Sequence, residues 1–300
     1  IAVNMVAARV TRPVGTLITS IGEIENAKSS ISKISEIWNA PPERKIIGTS
    51  VAIKGGYVFN DVSLDLGGNR VLDYINLEIE PGLNYGLVGT AAAGKTTLLK
   101  VLQGFVRPTI GTILVDGRAF NSIDLENYRS QVSLVNSSPK FFAGSIEENL
   151  RRARRNISER ELDDAVIQSC LEEILPKIDG GMSHQLDSFA SSLPNSYKQI
   201  VAISRAIAMN PKVLLFDEIF SPLDKNLQTK LLSKLKEISK NKTMILVTHD
   251  LRISKNLDQI ILMDNGSIVG KNSHLDLLKD NLIYQELWRL DQLVEEEARE

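Results

Sequence analysis

One stretch of nine residues limits what this chain can fold into more than any other: Gly89-Thr90-Ala91-Ala92-Ala93-Gly94-Lys95-Thr96-Thr97. The run before it, from Leu83 to Val88, reads as a buried strand, and Leu98-Leu99-Lys100-Val101-Leu102 after it restarts as a helix. Between them the spacing G-x-x-x-x-G-K-[ST] is met without mismatch. Small residues let successive N–H groups turn inward around phosphate oxygens, and the positive end of the helix adds to them. Lys95 can then reach the β- and γ-phosphates of a nucleotide, and the Thr96 hydroxyl can ligate Mg²⁺. A glycine turn before a helix occurs in any βα unit. Here strand, loop and helix follow the order that phosphate binding requires.

The 300 residues suit one or two domains with an ample core. A net charge of −2 gives no argument for nucleic-acid binding, and no such partner is expected. The single cysteine, Cys170, excludes an intrachain disulfide and fits a reducing compartment; with Ile167 and Leu171 beside it, it reads as a packed helical thiol. No apolar stretch reaches the ~18–20 residues that cross a bilayer. The chain starts at Ile1 without a signal peptide and reads as a piece of something longer.

Leu17, Ile24, Ile31 and Trp38 recur every seven residues, with Ile21 and Ile34 alongside, and predict a helix. It is either an amphipathic helix packed on the body or the cytoplasmic end of a membrane helix. Pro41-Pro42-Glu43 stops it, and a polar linker runs to about Gly56. Residues 57–82 read as β-structure with a Gly67-Gly68-Asn69 turn, and residues 111–117 and 131–135 as further strands. A mainly helical insertion is predicted over residues 146–210. Residues 213–218 and 243–249 contain short apolar strands of the buried parallel kind, separated by a helix around residues 228–239. A hairpin turns at Asp264-Asn265-Gly266, and Ser273 caps a helix carrying His274, read as structural.

Asp217 and Glu218 follow four apolar residues at a strand end, which in a parallel sheet faces the crevice of the phosphate loop. Asp217 is placed to hold Mg²⁺, directly or through water, and Glu218 to orient and polarise an attacking water. His249 ends the next apolar strand and is expected near the γ-phosphate as a hydrogen-bond donor.

With these landmarks in order, residues from about 50 to 292 resemble the nucleotide-binding domain of an ATP-binding-cassette (ABC) transporter, exporter type. Residues 89–97 are similar to its Walker A loop, and residues 213–218 to its Walker B strand with the catalytic glutamate. Residues 221–224 are similar to its D-loop, and His249 to its switch histidine. Residues 142–149 resemble the stretch that contacts the membrane domain, while residues 4–13 and the helix after them resemble the end of the sixth membrane helix in the type I secretion branch. The resemblance implies an α/β P-loop NTPase of the ABC ATPase fold, with a mixed sheet core, an antiparallel β subdomain and a helical subdomain at about 146–210. Residues 1–42 would be the root of the last membrane helix and a linker. It further implies ATP and Mg²⁺, a second cassette, a transmembrane domain, and a place at the cytoplasmic face of a membrane.

Three departures stand out. The adenine-stacking aromatic of the family aligns with Leu66, which has no π-face. The Q-loop glutamine aligns with Ser137, too short to ligate Mg²⁺ in the same way, though Asn136 is a candidate to compensate. The signature Leu-Ser-Gly-Gly-Gln aligns with Leu193-Pro194-Asn195-Ser196-Tyr197, just before a helix expected from Lys198. In the family this segment grips the γ-phosphate held by the other cassette. Pro194 has neither N–H nor hydroxyl, and Asn195 adds bulk where glycine is expected. The chain thus carries a complete Walker half-site and a poor signature half-site, so a partner cassette with an intact signature is favoured. The reading is an exporter's ATP-hydrolysing domain, for which the secretion-branch resemblance implies a peptide or protein as substrate; the alternatives are a regulatory cassette that binds ATP with little hydrolysis, or a soluble ABC-type ATPase.

Overall fold

The computed structural model describes residue 20 and residues 22–35, 38–39 and 48–297. The described residues fall into two units divided between Lys45 and Ile46, and each is taken by itself. In the first, residues 22–35 are helical, and Ile24, Ile31 and Ile34 are exposed. The membrane-helix likeness at residues 4–13, the heptad positions Leu17 and Ile21, the Pro41-Pro42-Glu43 stop and residues 298–300 lie outside the described residues.

The second unit opens with the hairpin β1 (Tyr57–Leu66) and β2 (Asn69–Ile79), then runs through β3 (Asn84–Gly89) into α1 (Lys95–Leu102). Strands β4 (Ile110–Val115) and β5 (Arg118–Ala119) follow, and α2 (Leu125–Arg129) leads to β6 (Val132–Val135). Next come β7 (Gly144–Ser145), α3 (Ile146–Arg151), α4 (Glu159–Gln168), β8 (Gln185–Leu186) and α5 (Asn195–Ala208). The remainder alternates as β9 (Val213–Asp217), α6 (Lys225–Ile238), β10 (Thr243–Val247), α7 (Leu251–Ser254) and β11 (Gln259–Asp264). It closes with β12 (Ser267–Asn272), α8 (His274–Asp280) and α9 (Leu282–Glu297).

Two larger sheets organise these elements. The antiparallel one has the order β2-β1-β4-β5, and the other the order β12-β11-β3-β10-β9-β6. In the second, β11, β3, β10, β9 and β6 pair in parallel, and β12 adds an antiparallel edge. Every residue of β9 and of β10 is buried, which is why both strands are apolar without alternation. All four carboxyl ends of β3, β6, β9 and β10 therefore lie on one rim, where chemistry in such sheets is located. This is the mixed sheet with an antiparallel subdomain that the resemblance implied.

The helical part between β6 and β9 packs into one apolar cluster with β9, β10 and α6, in which Ile146, Leu150, Leu162, Ile200 and Ile203 are fully or nearly buried beside Phe216 and Leu246. Its helices are well started: Ser145 and Glu148 form a capping box on α3, and Ser158 and Glu161 another on α4. It is more broken than helical periodicity predicts. Short 3₁₀ turns and the two-residue pair β7–β8 interrupt it, since Pro176 cannot continue a helix and Gly180 and Gly181 take positive φ. Helix α5 starts at Asn195 rather than Lys198, because Pro194 occupies the cap and its ring suits a helix entrance.

Candidate functional site

The loop from Gly89 to Thr97 is shaped by close backbone approach. At Gly89, with φ 149°, an added Cβ would lie 1.9 Å from the Met263 carbonyl oxygen, so only glycine fits. Gly94 precedes α1 with φ 94°, and a Cβ there would meet the Val71 carbonyl at 2.9 Å. The β11–β12 turn braces the loop from outside. Thr90 Oγ1 donates to Asp264 Oδ1 (2.7 Å), and the Gly266 amide donates to the Ala93 carbonyl (3.2 Å). Lys95 is 6% exposed, and its Nζ donates to the carbonyls of Gly89 (3.0 Å) and Thr90 (2.7 Å). Burial lowers the pKa of this ammonium, against the pull of Glu218 and Asp217.

Asp217 closes β9 beside it. Thr96 Oγ1 donates to Asp217 Oδ2 (2.8 Å), while Oδ1 is buried without a hydrogen-bond partner among the described residues. Desolvation raises this carboxyl's pKa, and the Thr96 hydroxyl opposes the rise. Glu218 takes a left-handed conformation, φ 55°, with its amide donating to the Val247 carbonyl at the end of β10 (3.1 Å). A non-glycine residue held there stores strain that its surroundings must enforce. The turn aims the carboxylate at His249, whose Nε2 is 2.7 Å from Glu218 Oε1.

Residues Val71, Ala91, Ala92, Ala93, Gly94, Lys95, Thr96, Thr97, Glu218 and His249 line one cleft of about 400 Å³. Its chemistry suits a phosphate chain with a small hard cation. A threonine hydroxyl and a carboxylate with an uncommitted buried oxygen are oxygen donors of the kind such cations select. A lysine engaged only with carbonyls can exchange them for anionic oxygens.

The other sequence-predicted positions do not line this cleft. Leu66 is 43% exposed at the β1–β2 turn, and Ser137 is exposed after β6. Leu193 is buried in the helical core, with Tyr197 packed against it; Pro194 and Asn195 are exposed, and Ser196 is half-buried. Gln199 Nε2 donates to the Asn136 carbonyl (3.1 Å), joining α5 to the loop that carries Ser137. Asp224 caps α6 by accepting from the Leu227 amide (2.9 Å). Sequence reasoning missed Val71 in the cleft, and its only signal was a β-branched residue one place before the buried Leu72. It also missed the Asp264 brace, which joins residues too far apart in sequence for any spacing rule.

The sequence matches the family described as ABC transporter over residues 72–221. It is similar to the alpha-hemolysin translocation ATP-binding protein HlyB of Escherichia coli O157:H7, with 32% identity over 97% of this chain and 42% of that protein. The lactococcin-A transport/processing ATP-binding protein LcnC of Lactococcus lactis subsp. lactis is 30% identical over 96% of this chain and 40% of its own length. An ATP-dependent lipid A-core flippase of Francisella tularensis subsp. holarctica (strain OSU18) is 29% identical over 94% of this chain and 47% of its own. The chain thus spans less than half the length of these relatives. Among solved structures, a bacterial Atm1-family ABC exporter with ATP bound has the same fold, with a TM-score of 0.80 and 24% identity over 89% of this chain and 47% of that one.

Proposed function

The chain belongs to the ABC transporter family, and from that premise we propose that it is the ATP-hydrolysing domain of an exporter, with the cleft at Lys95, Asp217, Glu218 and His249 as its half of the catalytic site. The observation that carries the reading is that a phosphate-type loop and a glutamate–histidine pair line one cleft, with a cation-ready carboxylate hydrogen-bonded to the cleft residue Thr96.

In this reading the amides of residues 89–97 and the head of α1 take up phosphate charge. Lys95 exchanges the Gly89 and Thr90 carbonyls for β- and γ-phosphate oxygens. Thr96 and Asp217 would hold Mg²⁺, which when bound would draw negative charge off the phosphate oxygens. Glu218 orients a water in line with the γ-phosphorus and accepts its proton as the bond to the leaving oxygen breaks. His249 exchanges its Nε2 contact with Glu218 for the γ-phosphate, to which that N–H donates. Most of the acceleration is positioning and charge stabilisation.

The half-site is completed by a second cassette with an intact signature, since Pro194 offers neither N–H nor hydroxyl to a phosphate. A transmembrane domain of the same transporter converts closure into movement, which puts the domain at the cytoplasmic face of a membrane. Among the described residues no helix is long and apolar enough to cross one. The names of the HlyB and LcnC relatives support a peptide or protein as cargo. The test is single-turnover phosphate release with the chain in excess over ATP, beside Glu218→Gln. The variant should keep ATP affinity and lose hydrolysis by about 10²-fold or more; equal rates in the two proteins would remove Glu218 from the role.

A further inference from the structure

The switch turn is built on the C-terminal helix. His249 leaves β10 through Thr248 and enters α7 through Asp250, which caps that helix by accepting from the Arg252 amide (2.9 Å). The Asp250 amide is itself held by Thr248 Oγ1 (3.1 Å). The His249 ring is largely exposed, so its position depends on the backbone that follows it.

Two contacts tie that backbone to α8 and α9, and a third joins those helices to each other. Arg252 grips Asp250 with two bonds (2.8 and 2.7 Å), and its Nε lies 3.7 Å from Asp291 on α9, a carboxylate only 14% exposed. Tyr284 of α9 is fully buried, and its hydroxyl is 2.8 Å from His274 Nδ1 of α8. Leu251, two residues past His249, packs in a small core with Leu277, Tyr284 and Val88. Val88 directly precedes Gly89. One apolar cluster therefore joins the root of the phosphate loop, the root of the switch turn and the C-terminal helix.

We propose that α9 sets the position of the switch histidine, with Tyr284 and Asp291 as positioning residues that act through Leu251 and through Arg252 and Asp250. The proposal rests on the site reading above for its effect on hydrolysis, and on the nucleotide-free fold for its effect on the turn. Closely packed two-sided contacts of this kind hold a segment against local opening, so their loss appears locally before it appears globally.

The test uses Tyr284→Leu, which removes the ring from the cluster that holds Leu251, and Asp291→Asn, which keeps shape, with Asp291→Glu as the rescue. Backbone hydrogen exchange of the nucleotide-free chain should quicken about fivefold at residues 248–252 in the first two variants, with β3 and β9 unchanged, as expected for a loss confined to one opening unit. Asp291→Glu should restore slow exchange. Affinity for Mg²⁺-ATP should stay within about twofold while single-turnover hydrolysis slows about fivefold, the pattern of a lost transition-state alignment rather than lost binding. Unchanged exchange at the turn in both variants overturns the proposal, as does quickening spread equally over β3 and β9. Localised quickening with wild-type hydrolysis also overturns it. If Glu218→Gln leaves hydrolysis intact, the site reading falls, and the exchange pattern still decides whether α9 holds the turn.

Discussion

Replacing Lys95 by methionine separates binding from folding at this site. The ammonium is almost fully enclosed and donates to two loop carbonyls, so its removal costs two hydrogen bonds of about 0.5–1.5 kcal/mol each. Against that loss stands the cost of holding a charge where burial lowers its pKa. Because the folded pKa is below the ordinary lysine value, that cost is fully present below the folded pKa. It fades as pH rises through the ordinary value, once both states have released the proton. At neutral pH the two effects oppose each other, and thermal stability of Lys95→Met should stay close to wild type. Nucleotide binding has no such compensation. A charge about 4 Å from a phosphate oxygen is worth about 4 kcal/mol at an effective dielectric of ~20, and a hydrogen bond to a charged group about 1.5–3 kcal/mol. Together these bracket a loss of about 10–10³-fold in ATP affinity. Titration calorimetry with Mg²⁺-ATP, ADP and AMP, alongside thermal melting, measures both quantities. The loss should be large for ATP and ADP and small for AMP, since Lys95 acts on the outer phosphates. Wild-type ATP affinity, or a loss as large for AMP, would refute the assignment.

Leu66→Tyr should tighten ATP by about 1–3 kcal/mol, the usual worth of a base–aromatic stack, and raise the preference for ATP over GTP; unchanged affinity in the same calorimetry would place adenine elsewhere. The combined change Pro194→Ser, Asn195→Gly and Ser196→Gly should raise ATPase activity of the self-paired chain about 10²-fold, the rate equivalent of ~3 kcal/mol at the transition state. Wild-type turnover of ~1 s⁻¹ or faster in that assay would mean that the existing signature segment suffices.

Local chemistry carried most of the site. The phosphate loop was legible because its geometry is set by neighbours in sequence: a strand, small residues, a lysine and a helix start within a few positions. Asp217, Glu218 and His249 were legible because fully buried parallel strands are continuous apolar runs, and the polar residue that ends each run marks the same rim. The helical part was read less well. Periodicity registers the apolar faces of α3, α4 and α5, whereas β7 pairs with β8 across some forty residues and no local pattern reports it.

What the sequence by itself determined, then, is the set of reactive groups and the elements that carry them, because strand burial and loop conformation follow from residue type and spacing. Tertiary structure alone decided how those groups are held. Asp264 reaches Thr90, Val71 walls the cleft, and Leu251, two residues after His249, packs in one cluster with Tyr284 of the last helix. Each of these is a contact between elements distant in the chain. Such contacts depend on side chains that in isolation read as an ordinary turn, strand or helix face, and they acquire a role only when sheet order and helix packing bring them within bonding distance.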